Sequence, residues 1–258
     1  MFGLTNAELL GLSAFAAVIA VAGNLLALVL RELVLARSYD RWKERRSLRA
    51  VYQQYRDPIA LSGLELLSRT QEIARVYPPD FLRSDVLNQH PGRLATVGSD
   101  DPYFRRYKLV SSAYRLCAFL GWLELYRQDV TFLDTGRRRG NAALDALLSK
   151  LRAALADGHL NQAADWQDWT DRLIFREEQR AIGAAMIRDI GSRRMVMGYE
   201  EFRTFFDEPD DHPWWLHTAT SFLLDLEQTK DFRQERLRLL EQHLGGLIAV
   251  LNPSARRR

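Results

Sequence analysis

The stretch FAAVIAVAGNLLALVLRELVLARSYDRWKERRSLR, from Phe15 to Arg49, decides the fold. An apolar run passes straight into a basic one, with no turn signal between them. Upstream the apolar run extends further: Leu9 to Leu30 is 22 residues without a charged side chain. As a helix it rises about 33 Å at roughly 1.5 Å per residue, which matches a hydrocarbon core of about 30 Å. A signal peptide starts basic, is shorter and ends at a small-residue cleavage site. Here Glu8 is the one charged side chain before the run, and Arg31 and Glu32 follow it. A buried soluble helix of this length normally keeps a polar face. The expectation is a transmembrane helix over 9–30, after a short extracytoplasmic tail, 1–8.

The flanks give its orientation. Between Arg31 and Arg49 seven basic side chains face three acidic ones, a net of +4. The positive-inside rule places this side in the cytoplasm, with the protein as a single-pass chain of the inner cell membrane. Tyr39 and Trp42 suit the headgroup level. Residues 31–55 read as a basic juxtamembrane helix in which Arg37, Arg41, Lys43, Arg45, Arg46 and Arg49 reach anionic lipid heads, each for about 1 kcal/mol. The same charges also suffice to fix topology alone.

Small and polar residues in the span share a face. Ser13, Ala17, Ala20, Asn24 and Ala27 follow at steps of four, three, four and three. Small side chains let membrane helices approach closely, and an intramembrane amide gains from a partner amide. The stripe predicts a homo-oligomer, a packed dimer or trimer sooner than a water-filled pore.

Of the 36 Lys and Arg, seven precede residue 50 and 29 follow it; of the 33 Asp and Glu, four precede it and 29 follow. The body is therefore neutral overall, which argues against nucleic acid as a partner held by bulk charge. Cys117 is the single cysteine and lies in the apolar run LCAFLGWLEL. It reads as a core thiol, and with no internal disulfide possible it fits a reducing compartment.

Residues 56–252 read as one cytoplasmic all-α domain of about six helices, followed by a basic tail, 253–258. Asp57 before Pro58 is a cap-and-start signal, and so is Asp101 before Pro102. Between them, 77–101 reads as a long connection with one short turn at DFLRSDVL. Leu144, Leu147, Leu148, Leu151 and Leu155 form one helical stripe. A further long helix is expected over DWQDWTDRLIFREEQRAIGAAMIRDI, a short one at GYEEFRTFFD, one starting at Pro213 and a last one ending before Pro253. The pair Trp214–Trp215 reads as core, or else as an exposed aromatic contact surface. No alternating strand pattern, fixed-period repeat or low-complexity linker is visible.

Catalytic signatures are missing: there is no G-x-x-x-x-G-K-[ST], G-x-G-x-x-G, G-x-S-x-G, H-E-x-x-H or C-x-x-C. The five histidines are scattered, and no metal or cofactor is expected. The stretch RLIFREEQRAIGAAMI is the unusual one. Glu178 falls on the apolar face of Ile174 and Ile182, where a carboxylate must be paired, protonated or at a site. The plain reading is a buried ion pair with an arginine. The functional reading is a polar pocket walled by Arg176, Glu177, Glu178, Gln179 and Arg180, with Gly183 allowing close helix approach. Arg56 and Asp57 are candidate members of the same pocket.

The segments YRDPIALSGLELLSRTQEI, GWLELYRQDVTFLD and FREEQRAIGAAMI, in this order, resemble the pattern of a family of membrane-anchored helical proteins without an established activity. The resemblance spans most of 52–252 and implies a single body; it implies no mechanism. Three function classes stand. The first is a non-enzymatic anchored protein that self-associates and docks an unidentified protein or small molecule. The second is a membrane effector gated by a ligand or partner. The third is an enzyme using Glu177, Glu178 and Arg180 on a lipid or nucleotide.

Overall fold

A computed structural model describes residues 6–30, 36–75, 80–86, 101–133, 142–156, 173–207, 213–226 and 233–252. Chain contacts divide the protein into two units, Met1–Ala50 and Val51–Arg258. The described residues are mostly helical, in agreement with the all-α expectation.

In the first unit, helix α1 spans Asn6–Leu30, 25 residues. Its described side chains, Phe15 and 17–28, are all exposed, among them Val18, Ile19, Val21, Leu25, Leu26 and Leu28. Over described side chains alone, no helix is long and apolar enough to cross a membrane. Helix α2 spans Ala36–Arg75. The join at 31–35 lies outside the described residues, as do the side chains of Arg37, Tyr39, Arg41, Trp42, Lys43, Arg45 and Arg49; Arg46 is exposed.

The second unit is built around helix α3, Pro102–Leu133. Asp101 caps it as expected, accepting from the Tyr103 N–H at 2.9 Å. Leu109, Val110, Ala113, Leu116, Cys117, Leu120, Leu123 and Leu125 are buried, so the middle of α3 is covered on all sides, while Phe104 and Tyr107 in its first turns are exposed. Helix α2 contributes Tyr55, Ile59, Leu66 and Ile73, spaced as one apolar face. Here the expected start at Pro58 is overturned: Pro58 lies inside α2 and Asp57 is no cap. A mid-helix proline costs about 3 kcal/mol, but burial of Tyr55 and Ile59 on either side holds the helix through it. Turns of 3₁₀ helix at Asp80–Leu82 and Ser84–Val86 fill the short-turn position.

Helix α4, Ala142–Ala156, buries Leu144, Leu148, Leu151 and Leu155. It packs on α8, Arg233–Leu251. Helix α5 runs only from Arg176 to Ala185, so the long helix expected through Ile190 is overturned. Strands β1, Ile187–Ile190, and β2, Arg193–Val196, form an antiparallel hairpin instead, with Ile187 opposite Val196. Gly191 at φ +62° makes the two-residue turn, a conformation in which L side chains are strained. Four-residue strands are too short to show an alternating pattern, which hid the hairpin in the sequence. Helix α6, Tyr199–Asp207, buries Phe202 and Phe206; α7, Trp214–Leu223, follows Pro213. Trp215 is buried and Trp214 is 56 % exposed, so the two tryptophans divide between the two readings.

The first turn of α8 carries two buried arginines. Arg233 Nη1 donates to the carbonyls of Ser221, Phe222 and Leu224 at 3.0, 3.3 and 2.6 Å, and Nη2 to that of Asp225 at 2.9 Å. These are the orphan carbonyls at the end of α7. Arg236 Nη1 donates to Ala154 of α4 at 3.2 Å. Asp225 adopts φ 50° and is fixed by its N–H to Leu82 O and by its carboxylate on the Ser84 N–H.

Candidate functional site

Helices α3, α4 and α5 meet where Gly183 lies against α3. A Cβ built on Gly183 would stand 2.7 Å from the Leu120 carbonyl and 2.8 Å from Glu124 Cβ. Glycine is therefore what lets α5 approach, as the sequence suggested. That approach sets Gln179 and Arg180 beside Glu124 of α3 and Arg152 of α4.

Glu124 is buried. Its carboxylate accepts a forked pair from Arg127, with Nε at 2.8 Å, and Gln128 Nε2 at 3.0 Å. Burial pushes its pKa up, but the bonds from Arg127 and Gln128 and the positive charges of Arg127 and Arg152 outweigh this and leave it below the usual range. The carboxylate is held ionised and its basicity is lowered, which makes it a weak proton acceptor near neutral pH. Arg194 of β2 extends the network, bonding Gln128 Oε1 at 2.8 Å and Asp129, which accepts from Tyr55 at 2.6 Å.

Gln179 is 3 % exposed. Its Nε2 donates to Arg152 O at 3.0 Å and to Ile174 O at 2.8 Å, which fixes the amide orientation. Its Oε1 then has no hydrogen-bond partner among the described residues. The adjoining cavity, lined by Leu120, Leu123, Glu124, Arg152, Gln179 and Arg180, measures about 10 Å³, room for about one water. Arg152 is pushed down in pKa by burial and by Arg180, Arg127 and Arg176, with Glu124 acting against them. Arg152, Arg176 and Arg180 have no ion-pair partner among the described residues.

Of the expected pocket, Gln179 and Arg180 line the cavity, while Arg176 is exposed and does not. Arg56 does not join them; it donates to Leu251 O at the end of α8, and exposed Asp57 lies 4.0 Å from it. Glu177 is exposed. The expected buried ion pair of Glu178 is overturned. Phe175 is the N-cap of α5, with extended backbone, which makes Glu178 the third helical residue. Its carboxylate reaches back to the Phe175 N–H at 2.7 Å, half of a capping box. Glu178→Ala is therefore expected to cost only about 0.5–2 kcal/mol in thermal unfolding, with Glu178→Gln recovering most of it; a loss nearer 4 kcal/mol would reinstate a buried pair. Glu124, Arg127 and Arg152 escaped the sequence reading. The signal for the first was a carboxylate inside the apolar run LGWLELY, with Arg127 and Gln128 three and four residues on.

No family model matches the chain, and neither a curated protein nor a solved structure does.

Proposed function

We propose that this is a membrane-anchored, non-enzymatic protein of the inner membrane, which self-associates through α1 and docks a partner or ligand on its cytoplasmic body. One observation carries the reading: the charge-free stretch Leu9–Leu30 on a 25-residue helix, followed by a basic segment. Seven exposed large apolar side chains on that helix need an apolar surrounding, and lipid supplies it. The non-enzymatic part is supported by the carboxylates at the polar cluster. Glu124 is bound to Arg127 and Glu178 to a backbone N–H, so neither is poised as a base. The basic segment favours anionic lipids.

Self-association is tested on the seam Ser13–Ala17–Ala20–Asn24–Ala27. Ala20→Leu adds bulk where backbones must approach, while apolar character is kept. Asn24→Leu removes an interhelical amide bond of about 0.6–2 kcal/mol. Each change is expected to shift the detergent-solubilised protein toward monomer in light scattering, with Leu26→Ala, off the seam, unchanged. An identical oligomer in all three variants would assign association to the body and remove the main support for gating through the membrane helices.

A further inference from the structure

The polar cluster carries an unspent chemistry. Arg152 and Arg180 line the cavity from α4 and α5, with Arg127 behind them on Glu124 and exposed Arg176 adding positive charge nearby. Glu178 is turned back to the Phe175 N–H. Counting Glu124, Glu177 and Glu178 against the four arginines, the balance is still positive. Guanidiniums without an ion-pair partner among the described residues fit an anionic ligand that brings several oxygens. The buried Gln179 Oε1 asks for the opposite, a donor.

We propose that this cluster binds a phosphate group. Arg152 and Arg180 hold its oxygens by charge-assisted forks, Arg176 adds charge at the rim, and Gln179 Oε1 accepts from the P–OH of a phosphate bound with one proton on it. The small cavity receives one oxygen and leaves the rest of the ligand outside, which fits a headgroup or a small phosphorylated molecule presented at the surface. The site names the ligand chemistry of the docking role proposed above and rests on it. Anchorage by α1 is a separate claim with a separate measurement.

The test uses the full chain in neutral detergent, titrated calorimetrically with inorganic phosphate. Arg152→Ala and Arg180→Gln are each expected to weaken binding by about tenfold or more. Arg238→Gln, which removes an exposed charge elsewhere on α8, is expected to change nothing. Arg180 is exposed, so its variant folds whatever becomes of Arg152→Ala. A second arm measures binding to phosphatidylcholine vesicles with and without phosphatidic acid. The basic segment draws every variant to anionic vesicles, so the readout is the difference between Arg180→Gln and Arg238→Gln. A difference there assigns a lipid headgroup; phosphate binding that depends on Arg152 and Arg180 without it assigns a soluble phosphate. Arg180→Gln and Arg152→Ala indistinguishable from wild type in both arms would overturn the proposal.

Discussion

Arg233→Ala is expected to destabilise the body by on the order of 3–5 kcal/mol, from truncating a large buried side chain and losing its charge-assisted hydrogen bonds. Arg233 is 1 % exposed and donates to four carbonyls that close α7. Removing the side chain takes the donor from one buried and three part-buried carbonyls and opens a large cavity. It also frees the strained Asp225, whose φ of 50° is held in part by this fork. Arg233→Lys is expected to recover only a fraction, since one ammonium cannot reproduce the fork. Urea unfolding of the detergent-solubilised chain, followed by circular dichroism, measures both. A loss below about 1 kcal/mol for Arg233→Ala would show that water closes α7 equally well.

Gly183→Ala is the second large effect. An exposed helical glycine gains about 0.5–1 kcal/mol on becoming alanine. At Gly183 the new methyl meets the Leu120 carbonyl at 2.7 Å, and backbone cannot step aside as a flexible side chain does. The expected outcome is a net loss of about 1–3 kcal/mol from overpacking, larger for valine, with α5 pushed off α3. Because α5 carries Gln179 and Arg180, phosphate affinity should fall together with stability. Gly245 in α8 supplies the contrast: a Cβ there meets nothing within 4 Å, so Gly245→Ala is expected to be neutral or stabilising. The same denaturation series decides it. Equal behaviour of the two glycines would mean that α3 and α5 do not approach as closely as described.

The sequence was most readable where one local rule acts alone. Asp101 before Pro102 caps α3, the leucines of α4 form its buried stripe, and Gly183 is a contact glycine. It misled where tertiary packing overrode the local rule. Asp57–Pro58 has the same form as Asp101–Pro102, yet α2 runs through it because Tyr55 and Ile59 are both buried. Glu178 is expected on the apolar face beside an arginine, but Gln179, Ile182 and Gly183 take the buried face and Glu178 turns back to the Phe175 N–H. The start of α5 is set by the extended backbone at Phe175, which no cap residue announces. Arg233 and Arg236 read as an ordinary charged first turn, since their partners are backbone carbonyls of α7 and α4, far away in sequence. The arginine cluster was half visible: α5 supplied Arg176 and Arg180, but Glu124, Arg127 and Arg152 join them only through the packing of three helices.

The central claim is a body held at the cytoplasmic face by α1. It is tested most directly by fusing alkaline phosphatase, active only outside the cytoplasm, after Arg258, and assaying intact cells and carbonate-washed membranes. The expected result is fusion protein retained in the washed membrane pellet with the phosphatase silent. Fusion protein released by the carbonate wash, or an active phosphatase, would contradict the claim.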